Sequence, residues 1–386
     1  MSVDTATPLL GGASPAQFMR EHWHKRPLLV RQALPGVTAP LARHQLFALA
    51  ARDDVESRLV VRQGERWSLR RGPLPRRALP PLSRAGWTLL VQGVDLHVPA
   101  AHELLHRFRF VPDARLDDVM VSFATAGGGV GPHVDSYDVF LLQVEGQRRW
   151  RVGRPLRDAA LRDDVPLKML KLFRAEREWL LQPGDLLYLP PLWAHDGEAV
   201  GGPCMTCSIG FRAPGRDELA RELMLRVADP LGDAAGAPYR DPQQPATAAP
   251  ARIPAALQAF AGEALARALR DPQATRRALG AWLSEPKAQT WFDIAARGSA
   301  IGPHRGVRLD PRSRMIYDAA RLYLNGDAYD MRGGDARWLR RLADRRGLPA
   351  AEVARLGAPA RALLDRWAEA GWLHPSKDDD GEEGMT

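Results

Sequence analysis

The sequence predicts a mainly β domain of the jelly-roll kind followed by α-helical segments. One observation is a series of short apolar runs between turn residues, namely "WTLLVQGV", "DDVMVSFAT", "YDVFLLQVEGQRRWRV", "EWLLQPGDLLYLP" and "PCMTCSIGFRA". Several short strands at this spacing are typical of a β-sandwich or β-barrel. A second observation is the change of pattern after "FRAPGR", where apolar residues recur at helical steps. These two patterns place the β domain before the helical part of the chain.

The chain before the barrel strands is predicted to contain a helix and short strands. "SPAQFMREHWHKRPLLV" starts with Ser14 and Pro15, which suit the N-cap and the first position of a helix, and it ends in a strand-like "PLLV". "SRLVVRQGERWSLRRGPL" predicts a hairpin that turns at Gln63-Gly64. We therefore assign residues 1–215 to one β domain with an N-terminal preamble.

The remainder of the chain is predicted to form two further modules and a tail. Residues 216–300 are helical around a connection rich in Pro, Ala and Gly. Residues 301–376 have helices in "SRMIYDAARLYLNG", "DARWLRRLADRRG" and "APARALLDRWAEAGWLHP" and a strand in "DAYDM". This order resembles a winged helix. Residues 377–386 are acidic and poor in apolar side chains, so we expect them to be disordered.

Composition limits the class of protein. Of the 386 residues, 45% are hydrophobic and 26% are charged, which is typical of a globular chain and excludes a fibrous one. The net charge of +8 comes mostly from arginine; it suits an acidic partner such as RNA, and it equally suits a genome that prefers arginine to lysine. No apolar run approaches the roughly 20 residues of a membrane span, and no export signal is evident. We expect a soluble, cytoplasmic protein without a membrane partner.

The segment "GGGVGPHVDSYD" carries the main chemical signal. His133 and Asp135 are two apart, so the alternation of a strand directs both side chains to one face. His195 in "GDLLYLPPLWAHDG" is the candidate third ligand. Two histidines and one carboxylate form the facial triad of non-haem Fe(II) oxygenases. An isolated H-x-D would more simply be a turn, but the flanking strands and glycines favour the metal site.

Arg148 is the second chemical signal. Its alternation partners Trp150 and Val152 are apolar, so the pattern directs one arginine into the barrel interior. A buried guanidinium without a partner is costly. A dicarboxylate cosubstrate would supply the anion through a two-pronged pair.

Three motifs together resemble a known family. "SFATAGGGVGPHVDSYDVFLLQVEGQRRWRVG", "GDLLYLPPLWAHDG" and "SIGFRAP" are similar to the jumonji-C-type ribosomal oxygenases, specifically the bacterial 2-oxoglutarate-dependent arginine hydroxylases of large-subunit ribosomal protein sixteen. The resemblance covers most of residues 14–215 and extends more loosely beyond them. It implies a double-stranded β-helix (cupin/jumonji-C jelly roll), a helical dimerisation module and a C-terminal winged helix. It also implies Fe(II), with 2-oxoglutarate and O2 as cosubstrates.

Carried onto this sequence, the resemblance makes His133, Asp135 and His195 the catalytic iron ligands. Arg148 becomes the partner of the distal carboxylate of 2-oxoglutarate. Related eukaryotic enzymes have a lysine at this place, so the arginine favours the bacterial branch.

Substrate contacts are expected on two strands and beside the metal pair. Asp118 and Met120 alternate onto one face together with Ser122, and Tyr137 follows the metal pair. A carboxylate near an aromatic ring and a thioether suits a guanidinium. Asp118 could instead be a solvent-facing strand start. Ser208, on the strand after His195, could reach the same pocket or be an ordinary core serine.

The favoured hypothesis is hydroxylation of the Cβ of an arginine in a large-subunit ribosomal protein by a homodimeric dioxygenase. One alternative keeps the same triad but makes the enzyme a histidyl hydroxylase or an N-methyl-lysine demethylase. Another is a non-catalytic cupin whose winged helix is the working part; the intact triad and Arg148 argue against it. A winged helix suggests DNA binding only by analogy, so we do not expect direct DNA binding.

Overall fold

A computed structural model of the chain describes residues 2–228, 238–246, 250–293, 301, 305–331 and 333–376. It divides into two compact units, one that ends at Ala213 and one that begins at Pro214. The helical segment and the residues of the expected winged helix belong to the second unit, so the predicted boundary at residue 300 stays a prediction. The predicted disordered tail, 377–386, lies outside the described residues. In the described ranges, no helix is both long enough and apolar enough to cross a membrane.

The first unit is built mostly from β-strands. Its helices are α1 Pro15–Glu21, α2 Arg43–Ala50 and α3 Pro99–His106. Its strands are β1 Leu28–Val30, β2 Ser57–Gln63, β3 Arg66–Arg71, β4 Trp87–Val91, β5 Leu116–Ala124, β6 Val139–Pro155, β7 Arg177–Leu181, β8 Leu186–Leu189 and β9 Trp193–Phe211. The predicted cap of α1 is confirmed, since the Ser14 side chain accepts a hydrogen bond from the Gln17 amide.

In the described part of this unit, the strands form one nine-stranded sheet with the order β1-β8-β6-β9-β5-β4-β2-β3, and β7 pairs with β6. All of these pairs are antiparallel. The long strands β6 and β9 pair along most of their length, through register shifts around Gly146. A Cβ at Gly146 would lie 2.2 Å from the Pro203 carbonyl oxygen, so only glycine allows this close approach. This antiparallel sheet corresponds to the predicted jelly roll.

The main core of the first unit lies between this sheet and the N-terminal helices. Its fully buried large side chains include Phe18 of α1, Trp87, Phe123, Phe140 and Tyr188. Because these rings anchor β4, β5, β6 and β8, the opposite face of the sheet is left to line the barrel interior. The predicted hairpin is confirmed as β2 and β3, but it turns at residues 64–65, one residue later than predicted, because Gln63 still pairs with Arg66.

The second unit begins with helices α4 Arg216–Ala228, α5 Ala255–Leu269 and α6 Pro272–Ser284. They are followed by β10 Gly306–Leu309, β11 Met315–Tyr317, β12 Arg321–Leu324, β13 Asp327–Asp330, α7 Ala336–Arg345, β14 Gly347–Leu348, α8 Ala350–Val353, α9 Ala358–Glu369 and β15 Leu373–Ser376. One sheet has the order β14-β10-β15 and another β11-β12-β13. Trp338, Leu342, Leu364 and Trp367 lie in their shared core.

The predicted helix over "SRMIYDAARLYLNG" is wrong, because this segment forms β11 and β12. The cause is local. The Asp318 carboxylate accepts hydrogen bonds from the amides of Ala320 and Arg321, at 2.8 and 2.7 Å. An aspartate that bonds its own downstream backbone in this way makes a turn and interrupts a helical pattern. The predicted helices over "DARWLRRLADRRG" and "APARALLDRWAEAGWLHP" are confirmed as α7 and α9, and "DAYDM" as β13.

Candidate metal centre and substrate pocket

The three proposed metal ligands converge at one end of the barrel. His133 and His195 are paired through two backbone hydrogen bonds, both of 2.9 Å. The carboxylate oxygen Oδ2 of Asp135 lies 3.8 Å from Nε2 of His133 and 3.5 Å from Nε2 of His195. One ligand atom from each of the three side chains lies within 4.8 Å of the others. His133 sits in a single bridge and Asp135 in the loop before β6, so the expected strand end is in fact the start of a loop.

Backbone carbonyls fix the orientation of both imidazoles. Nδ1 of His133 lies 2.9 Å from the Gly131 carbonyl oxygen, and Nδ1 of His195 lies 2.8 Å from that of Trp193. If each Nδ1–H donates to its carbonyl, each Nε2 keeps a lone pair directed at the site. Burial, reinforced by the neighbouring His133, lowers the pKa of His195 to about 4. Two imidazoles and one carboxylate therefore form a donor set that fits Fe(II).

Asp138 anchors the metal loop to the core. Its buried carboxylate accepts a hydrogen bond of 2.5 Å from the Tyr188 hydroxyl and lies 2.9 Å from Nε2 of His24. Burial raises the pKa of Asp138, although Tyr188 and His24 oppose the shift. The sequence indicated no such role for His24, since only the fold brings the end of the α1 segment to the start of β6.

Arg148 points into the barrel, as its alternation predicts. The residue is 4% exposed, and its guanidinium donates to Ser122 Oγ at 3.1 Å and to the Gly197 carbonyl oxygen at 3.3 Å. Its Nε has no hydrogen-bond partner, and no carboxylate of the described residues lies within ion-pair distance of the group. Burial lowers the pKa of Arg148. The barrel thus encloses a cation whose contacts are all neutral.

Gly197 is needed beside this cation. A Cβ at this position would lie 2.6 Å from the Trp150 ring and 2.9 Å from Nε of Arg148. Trp150 itself packs under the guanidinium, whose carbon is 5.0 Å from the ring centre. Arg149, in contrast, lies on the opposite face of β6, where its Nε is 3.3 Å from the Glu178 carboxylate. The predicted facing of the two arginines is therefore the one observed.

Asp118 is 3% exposed, so the solvent-facing alternative for this residue is wrong. Its carboxylate accepts hydrogen bonds from the Gly93 amide at 2.8 Å and from Gln92 Nε2 at 3.3 Å. Gln92 in turn accepts a hydrogen bond of 2.9 Å from Arg58, whose guanidinium also lies 3.9 Å from the Met120 sulfur. The sequence pattern did not single out Arg58 or Gln92, because their contact with Asp118 depends on the pairing of β2, β4 and β5.

The other predicted substrate contacts lie near this carboxylate. Met120 is directly opposite Ser208 in the β5–β9 ladder. Tyr137 is 39% exposed, and partial burial together with the carboxylates of Asp135 and Asp118 raises its pKa. The four predicted residues, Asp118, Met120, Tyr137 and Ser208, are thus drawn from two neighbouring strands and the metal loop.

A cleft of about 330 Å³ adjoins the metal loops. It is lined by Gly131 and Pro132, which precede His133, and by Asp196 and Gly197, which follow His195. Arg62 and Trp67 of the β2–β3 hairpin form another part of its wall. The hairpin therefore borders the same cleft as the residues that flank His133 and His195 in the chain.

Models of two protein families match this chain: a JmjC domain over residues 103–219 and a ROXA-like winged helix over residues 267–374. The ribosomal protein uL16 3-hydroxylase of Escherichia coli strain K12 is 36% identical over 281 residues, which are 72% of this chain and 73% of the relative. A bifunctional lysine-specific demethylase and histidyl-hydroxylase of Drosophila persimilis is 26% identical over 50% of this chain and 29% of its own length.

A solved structure extends the similarity over both units. It is a ribosomal oxygenase from Escherichia coli in complex with cobalt and 2-oxoglutarate, with a TM-score of 0.75 and 29% identity over 94% of this chain and 98% of that one. The expected winged helix is confirmed by the family match. The β-barrel, the winged helix and a relative of this identity and coverage together show that this protein belongs to the JmjC ribosomal oxygenases, a family of 2-oxoglutarate-dependent dioxygenases.

Proposed function

We propose that this protein hydroxylates the Cβ of an arginine side chain in a large-subunit ribosomal protein, with Fe(II) held by His133, Asp135 and His195. The observation that carries the proposal is the buried Arg148 guanidinium, which has no carboxylate partner among the described residues and lies in the same barrel as the triad. A dicarboxylate cosubstrate supplies the missing anion. The uL16 3-hydroxylase of Escherichia coli supports the choice of a ribosomal protein as substrate.

The residues of this chain position the reactants and exclude water. Fe(II) bound with 2-oxoglutarate and O2 supplies the oxidation that converts a C–H bond into C–OH. Arg148 orients the distal carboxylate of the cosubstrate, and Ser122 and the Gly197 carbonyl hold Arg148 in place. Trp150 closes the barrel wall beside the guanidinium. Such positioning fixes which substrate carbon faces the metal.

Asp118, Met120, Tyr137 and Ser208 are proposed to bind the substrate side chain. A buried carboxylate favours a cationic group, which suits arginine better than neutral histidine. The exposed ring of Tyr137 is available to stack on a guanidinium plane. Gln92 donates a hydrogen bond to the Asp118 carboxylate and accepts one from Arg58, so it limits rotation of this carboxylate.

We further propose that the helical segment pairs two chains. No side chain of α5 is buried among the described residues. The helix exposes several large apolar residues, which are Leu257, Phe260, Leu265 and Leu269. Exposed apolar surface of this extent commonly marks a protein interface.

A ribosomal substrate also implies that the enzyme works in the cytoplasm.

The function is tested by mass spectrometry of large-subunit ribosomal proteins after incubation with the protein, Fe(II), ascorbate and 2-oxoglutarate. The expected product is one arginine that gains the mass of one oxygen. His133→Ala and Asp135→Ala should abolish this product, while His44→Ala, which removes an exposed imidazole from α2, should retain it. Oxygen on a histidine, or loss of a lysine methyl group, would refute the arginine assignment. Near-parental turnover by Asp135→Ala would refute the ligand assignment.

A further inference from the structure

Positive charge is concentrated in one short segment of the chain. Residues 57–84 contain eight arginines and a single acidic residue, Glu65, so they carry a net charge of +7 in a protein whose total is +8. The arginines are Arg58, Arg62, Arg66, Arg70, Arg71, Arg76, Arg77 and Arg84. A genomic preference for arginine over lysine changes which cation is used, but it does not explain why acidic residues are missing here. The excess of positive charge in this segment therefore needs a reason that is specific to the segment.

The fold gathers these arginines around one edge of the sheet, with Arg58, Arg62 and Arg71 on one face of the hairpin and Arg66 and Arg70 on the other. β3 lies at the end of the sheet order, so the β2–β3 hairpin forms an edge of the sheet. The loop after β3 folds back on it, since Arg70 donates a hydrogen bond of 3.3 Å to the Ala78 carbonyl oxygen. The next loop is joined to β2 by the bond from the Arg62 amide to the Gly86 carbonyl oxygen, at 2.7 Å. We call residues 57–86 the basic hairpin surface.

Most arginines of the basic hairpin surface are exposed and lack counter-ions. Seven of the eight are exposed, Arg58 being the half-buried one. Within the described residues, the side chains of Arg66, Arg77 and Arg84 make no ion pair and no hydrogen bond. Other arginines of the same unit are paired, for example Arg31 with Asp185 at 2.5 Å. Unpaired like charges at close spacing repel one another, and a polyanion that binds there relieves this repulsion.

The chemistry of the surface suits the phosphate backbone of a nucleic acid. Guanidinium groups bind phosphate in a two-pronged geometry. Trp67 is half-buried beside Arg62, whose guanidinium carbon is 5.4 Å from the ring centre. An aromatic ring among arginines is a platform on which unpaired bases stack. None of the exposed large apolar side chains of the described residues lies in this segment, so it lacks the apolar anchor that a membrane-bound surface uses.

We propose that the basic hairpin surface binds RNA through its phosphate backbone. The inference rests on the proposed function, because a ribosomal protein substrate is the partner that brings RNA to this enzyme. The cleft beside the metal loops supports the link, since Arg62 and Trp67 line it together with Gly131 and Gly197. RNA bound on the Arg62 and Trp67 side of the hairpin therefore lies next to a cleft whose wall includes the neighbours of His133 and His195 in the chain. A substrate presented with its RNA gains affinity that an isolated peptide lacks.

The test measures binding of the full-length protein to a fluorescein-labelled ribosomal RNA hairpin over a range of salt concentrations. The variant Arg66→Gln/Arg77→Gln/Arg84→Gln removes three exposed charges that have no structural contacts. The matched control Arg157→Gln/Arg174→Gln/Arg177→Gln removes three exposed charges from the region between β6 and the start of β7. If all three hairpin arginines contact phosphates, the slope of log affinity against log salt falls by about 2.7, at roughly 0.9 per contact. Affinity at low salt falls about tenfold or more, whereas the control keeps nearly the parental values.

Several outcomes overturn the inference. The inference is refuted if the hairpin variant keeps the parental RNA affinity and the parental slope of log affinity against log salt. It is also refuted if the control loses as much affinity as the hairpin variant, because the loss would then reflect net charge alone. Tighter binding of the parent to vesicles with anionic headgroups than to RNA would assign the surface to a membrane instead. Hydroxylation of a short substrate peptide should be unchanged in the hairpin variant. RNA binding without any peptide hydroxylation by the parent would refute the proposed function and leave the RNA site standing.

Discussion

Replacement of Arg148 by alanine tests the cosubstrate site most directly. The guanidinium is 4% exposed and touches only neutral acceptors, at 3.1 Å from Ser122 Oγ and 3.3 Å from the Gly197 carbonyl oxygen. No internal ion pair is therefore broken in the protein without cosubstrate. The substitution instead weakens the complex with 2-oxoglutarate, because the distal carboxylate of the cosubstrate loses its charge partner inside the barrel.

The size of the effect on 2-oxoglutarate binding follows from this difference between the free protein and the complex. A buried carboxylate without its cation costs roughly 3 kcal/mol or more, which corresponds to at least about a hundredfold weaker binding. The free energy of unfolding without cosubstrate should change by only about 1 kcal/mol, because two hydrogen bonds to neutral groups are lost along with a costly buried charge. Arg148→Lys should recover part of the affinity, since lysine keeps the charge but loses the two-pronged geometry.

The assay is an anaerobic titration of 2-oxoglutarate into the Fe(II) protein, followed by the metal-to-ligand charge-transfer band. Thermal unfolding gives an independent readout. A cosubstrate concentration of about one hundred times the parental Kd stabilises the parent by about 2.7 kcal/mol. The same concentration stabilises a variant with hundredfold weaker binding by only about 0.4 kcal/mol.

Arg149→Ala is the matched control, because Arg149 lies on the outer face of β6 beside Glu178. It should bind 2-oxoglutarate almost as the parent does. Equal losses in the two alanine variants, or a larger loss in Arg149→Ala, would refute the assignment of Arg148. So would a large drop in the stability of the cosubstrate-free Arg148→Ala protein, since it would show that the arginine serves mainly to hold the barrel together.

Three further predictions concern the substrate, the oligomer and the second unit. Asp118→Asn should raise the KM for a substrate peptide about tenfold or more, because a hydrogen bond to a charged group is worth about 1.5–3 kcal/mol. Fe(II) binding, measured by titration, should be unchanged. An unaltered KM would count against a cationic substrate side chain at this position. Light scattering at micromolar concentration should give a dimer mass for the parent and a monomer mass for Leu265→Glu, because Leu265 is an exposed apolar residue of α5. A monomeric parent would exclude the proposed pairing through α5. Burial favours a higher pKa for Asp310, but hydrogen bonds from Arg312 and His374 outweigh it and hold the pKa below its ordinary value. This stabilisation is therefore present above the unfolded pKa of about 3.9 and is lost as pH falls through the lower folded value. Asp310→Asn should lower the free energy of unfolding in urea at pH 7 by about 2 kcal/mol, the scale of hydrogen bonds to a charged group. The loss should shrink as pH falls below about 3.9, and a loss that does not depend on pH would contradict the reasoning.

The sequence by itself determined the features that depend on local periodicity. The alternation of β6 separates Arg148 from Arg149, and the structure has them on opposite faces. His133 and Asp135 also share one site as predicted, although a loop rather than strand alternation brings their side chains together. The cap at Ser14 and the existence of helix α7 follow from the same kind of short-range geometry. Such features need only the backbone angles of a few neighbouring residues, so they can be read before the fold is known.

Only the tertiary structure decided contacts between residues that are distant in the sequence. Ser122 and Gly197 surround Arg148 because β5, β6 and β9 pair in one particular register. Asp118 is buried because β4 and the following turn bring Gly93 and Gln92 onto its carboxylate, although its pattern also suited an exposed strand start. The helix expected around Asp318 was replaced by a hairpin, because its turn bonds and the packing of β12 outweigh a helical spacing of apolar residues. Register, sheet curvature and packing are properties of the whole chain, and no short stretch of sequence contains them.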